Sequence, residues 1–127
     1  MPRRTIRTDS APKPGGNYSQ GIVAGDFIFV AGQDGRDPST GARAAGIEAQ
    51  TRQTLSNIGA ILKEAGSSLE NVVRVSVYLN DINDFEAMNK VYTTFFPKDP
   101  PARTTIQTRF RGDMLVEIDA IALSAQE

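Results

Sequence analysis

The segments PPARTTIQT (residues 100–108) and DMLVEIDAIAL (residues 113–123) carry the reading of this chain. The first sets one arginine, Arg103, at the start of a Thr/Ile/Gln run behind two prolines, which reads as a β-strand. The second alternates apolar residues with Glu117 and Asp119, the period of a strand with one buried face. Residues 109–113 between them have turn character, so the pair is predicted to form a hairpin with Gly112 in its loop. On neighbouring strands, an arginine fork and a carboxylate could bind and process a small carboxylate. They could also form only a cross-strand ion pair, worth under about 1 kcal/mol.

Upstream, Ile47, Thr51, Leu55, Ile58, Leu62 and Ala65 fall three or four apart, with Glu48, Arg52, Ser56 and Lys63 outside the stripe. That spacing predicts a helix over residues 47–65, stopped by Gly66. Residues 71–79 alternate, with Val73, Val75, Val77 and Leu79 on one face and Arg74, Ser76 and Tyr78 on the other. A second helix is expected with Asn83 as its cap and Glu86 three residues on. Its apolar stripe is Phe85, Met88, Tyr92, Phe95 and Phe96, and Pro97 ends it.

Nearer the N-terminus, residues 22–24 and 27–33 read as strands joined by Gly25-Asp26, a pair suited to a type II′ turn. FIFVAGQ (residues 27–33) is apolar on both faces and should be central, parallel to the strand over 71–79 if the helix is a crossover. Gly32 near its end marks a bulge or a close approach of backbone to something else. Residues 34–45 read as loop. Residues 1–14 are expected to be a loosely held arm, apart from a short edge strand near residues 5–7. Its Arg3, Arg4, Arg7 and Lys13 read as a solvated cluster rather than a nucleic-acid site, because no aromatic is interleaved with them.

The order strand, strand, helix, strand, helix, strand, strand predicts an α+β fold in a single domain over residues 1–127, with both helices on one face of a mixed sheet. A half-apolar uncovered face is an expected subunit contact, closed by cyclic symmetry with two or three copies. The 39% apolar content is modest, which agrees with some burial between subunits. A net charge of −1 argues against broad binding to a phosphate backbone. The chain has no cysteine and no histidine, which removes thiolate nucleophiles, the commonest metal ligands and any Ser-His-Asp triad. Catalysis must then use Asp, Glu, Lys, Tyr, Arg, backbone groups or water. No apolar run approaches about 18 residues, and the N-terminus lacks the apolar core of a secretory signal, so a cytoplasmic protein is expected.

In order along the chain stand NYSQGIVAGDFIFVAGQ, DPSTG, QTRQTLSNIGAIL, VYLNDINDFEAMNKVY, PPART and LVEIDAIA. Over residues 17–122 this resembles the RidA family, also called YjgF/YER057c; PPART followed shortly by VEIDAIA is the specific part. The resemblance implies a chorismate-mutase-like α+β fold and a homotrimer with clefts between subunits. It implies hydrolysis of 2-aminoacrylate-type enamines and imines to 2-keto acids and ammonia, with no metal or organic cofactor. It assigns Arg103 to the substrate carboxylate, which its planar, permanently charged fork suits. Glu117 takes the attacking water, Tyr18 and Asn89 line the cleft, Gly32 lets backbone approach the ligand, and Thr105 offers its N–H. Ala31, Thr105 and Asp34-Gly35 depart from the commoner pattern of serine, cysteine, and an apolar residue with proline. The last borders the cleft, so substrate size or identity is expected to differ. Two rival readings stand beside the enzyme: a trimeric module that binds small 2-keto acids without turnover, and an RNA-acting translation inhibitor or chaperone-like protein. Membrane partners are not expected.

Overall fold

The computed structural model describes residues 2–124. Its elements are β1 (Arg3–Ile6), β2 (Gly21–Ala24), β3 (Phe27–Asp34), α1 (Ile47–Glu64), β4 (Val72–Leu79), α2 (Phe85–Phe95), β5 (Ala102–Gln107) and β6 (Val116–Leu123). The six strands form one sheet in the order β1-β2-β3-β6-β4-β5. The expected mixed α+β sheet is present. Gly25, with φ 60°, turns β2 into β3 through a two-residue loop. α1 ends as expected: Gly66 at φ 82° lets its own N–H and that of Ser67 donate to the carbonyls of Lys63 and Leu62.

The expected hairpin does not form. β5 lies parallel to β4, with Arg103 opposite Val75 and Thr105 opposite Val77. β6 lies antiparallel on the other side of β4 and pairs also with β3. Residues 108–115 pass round the end of β4 to make this change of side. Thr108 N–H donates to Leu79 O (2.8 Å) and Asn80 N–H donates to Leu115 O (3.0 Å). The cause is composition. β6 can bury Val116, Ile118, Ala120 and Ala122 on one face, and earns two apolar neighbours by lying between β3 and β4. β5, rich in Thr, Gln and Arg, tolerates an edge. β3 is interior and runs parallel to β4 in direction, as expected, with β6 between them.

Both helices cover one face. Ile28, Val30, Val75, Val77, Leu79 and Ile118 of the sheet pack there with Leu55, Ile58 and Leu62 of α1 and Met88 of α2. The other face leaves Phe27, Phe29, Ile106 and Leu123 each more than 40% exposed. Three further expectations are corrected. A register shift between Val72 and Arg74 turns Val73 out of the core, so Val72 takes its place. Asp81, not Asn83, leads into α2: its Oδ1 accepts from Asn83 N–H (2.9 Å) over a 3₁₀ turn that runs directly into the helix. The N-terminal segment is held rather than loose. Arg3–Ile6 pairs with β2, Ile6 and Ala11 are buried, and the buried Gln20 amide donates to the carbonyls of Thr8 and Pro12 (both 3.0 Å) and accepts from Thr8 N–H (2.8 Å). Among the described residues no helix is long and apolar enough to cross a membrane.

Candidate functional site

The predicted site residues fall into two groups on opposite faces of the sheet. Tyr18, Gly32 and Glu117 come together on the helix-free side. Arg103, Thr105 and Asn89 come together on the helix side. The register explains the split. Arg103 stands opposite the core-facing Val75, whereas Glu117 stands opposite Tyr78 on the other face, with β4 in between. The alternative of an ion pair between Arg103 and Glu117 or Asp119 is not realised: Arg103 has no carboxylate partner among the described residues, and Asp119 accepts from the Tyr78 hydroxyl (3.1 Å).

On the first side the ladder between β3 and β6 slips between Val30 and Gln33, the bulge expected at Gly32. The Glu117 side chain lies directly over Gly32: a Cβ there would sit 2.5 Å from Glu117 Oε2. A cavity of about 140 Å³ beside it is lined by Tyr18, Gly32, Asp34, Arg36, Arg43 and Glu117, with Lys13 at its wall. Burial, then the Asp119 and Asp34 charges, push the Glu117 carboxyl above the usual glutamate range. Asp34 is its direct partner across the strands. Tyr18 is half exposed and its hydroxyl accepts from Gly15 N–H (3.1 Å).

On the second side the Arg103 Nη1 donates to Asn89 Oδ1 (2.8 Å). Its guanidinium carbon lies 4.6 Å from the Tyr92 ring centre and 5.4 Å from that of Phe85. Such a cradle holds the charge in place while leaving other N–H groups of the fork to a ligand. A cavity of about 490 Å³ opens here, lined by Asn89, Tyr92, Phe96, Pro97, Pro100 and Arg103. The Thr105 hydroxyl is buried on this side with no hydrogen-bond partner among the described residues. Burial raises the Tyr92 phenol, against the opposing pull of the Arg103 charge.

Sequence reasoning missed the polar frame around the first cavity. Arg43 Nε donates to Asp34 Oδ2 and its Nη1 to Asp113 Oδ1, both at 2.8 Å. Gln50 of α1 donates to Asp113 O (2.9 Å) and accepts from Leu115 N–H (2.9 Å), while Asn57 donates to Asp34 O (3.1 Å) and Arg36 O (2.9 Å). One helix thus grips both segments that flank Glu117. Two amides seven residues apart beside the apolar stripe were the available signal.

A small α+β domain with a carboxylate pocket on one sheet face and an arginine pocket on the other defines the class. The family described as Endoribonuclease L-PSP matches residues 8–124, and the chain belongs to it, the family that includes RidA and YjgF. A RutC family protein of Pyrococcus horikoshii is 52% identical over 122 residues, 94% of this chain and 97% of that one. The 2-iminobutanoate/2-iminopropanoate deaminase of Rattus norvegicus is 42% identical over 124 residues, 95% of this chain and 90% of that one. The crystal structure of RidA from an Antarctic Psychrobacter superposes with a TM-score of 0.92 at 38% identity, covering 94% of this chain and 98% of that one.

Proposed function

We propose that the protein is a hydrolytic deaminase of reactive enamines and imines of the 2-aminoacrylate type, working as a homotrimer in which the Arg103 side of one copy meets the Glu117 side of the next. The observation that carries this reading is the split itself. A cation with no carboxylate partner and a half-buried carboxylate of raised proton affinity lie in separate open cavities of one chain. The exposed Phe27, Phe29 and Leu123 supply an apolar contact surface. The family and the deaminase names of relatives at about 40% identity support imine chemistry.

The chemistry follows from the groups. An enamine first takes a proton at its terminal carbon and gives one up from nitrogen, becoming the imine. Arg103 binds the carboxylate through its fork, with Asn89 fixing the guanidinium. Glu117 accepts a proton from water as the water oxygen bonds to the imine carbon, and the nitrogen takes up a proton. In the collapse of the resulting carbinolamine the hydroxyl proton passes to nitrogen as the C–N bond breaks and the carbonyl forms. Ammonia and the 2-keto acid leave. Tyr18 and the N–H of Thr105 orient the substrate.

Subunit mixing tests the shared site. Arg103→Ala and Glu117→Gln are each expected to keep no more than about 1% of wild-type activity. Unfolded together in equal amounts and refolded, they should regain about a quarter of wild-type activity, because every mixed trimer contains one cleft with both residues intact. Light scattering checks the trimer. No regained activity in verified mixed oligomers would show that the two residues do not share a cleft.

A further inference from the structure

In the cavity beside Glu117 the charges are unevenly committed. Arg43 is spanned by Asp34 and Asp113 at 2.8 Å each. Asp34 is thereby engaged, and Arg36 reaches it only at 3.8 Å. The Arg36 Nε is buried and has no hydrogen-bond partner among the described residues. Lys13 on the same wall makes no ion pair among them. Arg36, its side chain partly exposed, and Lys13 both line the cavity, so two cations there are not committed to a carboxylate at close range.

Arg36 is also anchored. Its N–H donates to Asp34 Oδ1 (3.3 Å), its carbonyl accepts from Asn57, and its backbone bridges to that of Arg43. Gly35 before it lies against α1, where a Cβ would sit 2.7 Å from Gln50 Cα, so only glycine lets this segment lie so close. The Asp34-Gly35 pair, which departs from the commoner family pattern, is thus what holds Arg36 at the cavity.

We propose that Arg36, assisted by Lys13, selects imines with an anionic side chain, the 2-imino dicarboxylates of the 2-iminosuccinate and 2-iminoglutarate class, over alkyl imines. This rests on the reading given under Proposed function. The imine carbon carries two arms. With one carboxylate on Arg103 and the reacting carbon at Glu117, the other arm faces the remaining wall of the Glu117 cavity. An alkyl arm there would cover the partly exposed Arg36 charge without replacing its water. A carboxylate satisfies it with charge-assisted hydrogen bonds. Asp34 opposes a second anion less than a free carboxylate would, since it is ion-paired with Arg43 at 2.8 Å. The distal carboxylate takes no part in bond making: the C–N bond is hydrolysed as before.

The test compares 2-iminosuccinate with 2-iminobutanoate, each generated in place by an amino-acid oxidase, with keto-acid release followed above the spontaneous rate. We expect kcat/KM to favour the dicarboxylate by about tenfold or more. The ratio should fall at least about tenfold in Arg36→Gln, less in Lys13→Gln, and narrow with added salt. Thermal midpoints confirm that both variants fold, and Lys13→Gln, an exposed change, carries the comparison if Arg36→Gln does not. A wild-type preference for 2-iminobutanoate, or a ratio untouched by both substitutions, overturns the proposal. If neither imine is hydrolysed, the deaminase reading fails and calorimetry decides this one separately. Tighter binding of 2-oxoglutarate than of 2-oxobutanoate, weakened in the variants, upholds it, and equal binding overturns it.

Discussion

Gly32→Ala should uncouple the Glu117 carboxylate from its water without unfolding the chain. Gly32 does not have a positive φ, so alanine brings no backbone strain. The new Cβ would meet Glu117 Oε2 at 2.5 Å, Cδ at 2.8 Å and Cγ at 3.1 Å. Ordinary contact between such atoms starts near 3.4 Å. The carboxylate must therefore retreat by roughly 0.9 Å, which it can do by turning into the adjoining cavity. A displacement of about 1 Å at a reacting group costs on the order of 10²-fold in rate. We expect kcat for imine hydrolysis to fall by about that factor while the thermal midpoint moves by no more than a few degrees. Gly59→Ala is the control: in α1, its Cβ would make only ordinary contact with Leu69, and helix propensity should stabilise it by about 0.5–1 kcal/mol. A Gly32→Ala protein with wild-type kcat would refute the argument that the position of Glu117 over Gly32 governs the chemistry.

Glu117→Gln should lower kcat by about 10²–10⁴ while 2-keto acid binding stays within a few-fold. The same variant has a pH signature in stability. The carboxyl is raised in the folded state, so ionising it works against folding. Its contribution is fully present below the ordinary carboxyl range, near about pH 4, and is lost as pH rises through the folded value. Glu117→Gln should therefore melt higher than wild type at neutral pH and equal to it at pH 4; equal midpoints at both would argue against a raised carboxyl. Arg103→Lys keeps the charge but loses the fork and the Asn89 geometry, and should raise KM by about 10–100-fold with a smaller change in kcat, read from initial rates. Thr105→Val removes a buried hydroxyl without a partner, and should raise unfolding stability by about 1 kcal/mol in urea titration. A loss instead would mean that the hydroxyl has a hydrogen-bond partner in the folded protein.

Local chemistry was the legible part. Gly66, the Gly25-Asp26 turn, the α1 stripe and the bulge at Gly32 are each set by a few adjacent residues, and each stands where the pattern puts it. What failed were pairings and caps, where several residues compete. Residues 109–113 look like a hairpin loop, yet nothing local reveals that β4 will occupy the space beside β5. That one error hides the main property of the site, because a hairpin makes Arg103 and Glu117 neighbours and the true register puts them on opposite faces. Asn83 lost its cap role to Asp81 by two positions, a choice made by the 3₁₀ turn. The Asp34–Arg43–Asp113 frame spans distant stretches of chain, so no window of sequence could show it.

The place of β6 between β3 and β4 also bears on how the protein is made. Synthesis delivers β1 to β3 first, then β4 and β5, and the strand that joins these two ribbons follows last. Until Val116–Leu123 has been made, neither the β3–β6 nor the β4–β6 ladder can form, so the edges of β3 and β4 that meet β6 lack that partner. Both edges belong to strands rich in Val, Ile and Phe, which favour pairing with other chains. Closure thus waits for the last of the six strands and depends on contacts between distant parts of the chain, which makes it slow by nature. Premature termination before residue 116 would leave a polypeptide with most of its secondary structure encoded and no means of uniting it, a ready substrate for chaperones and proteases.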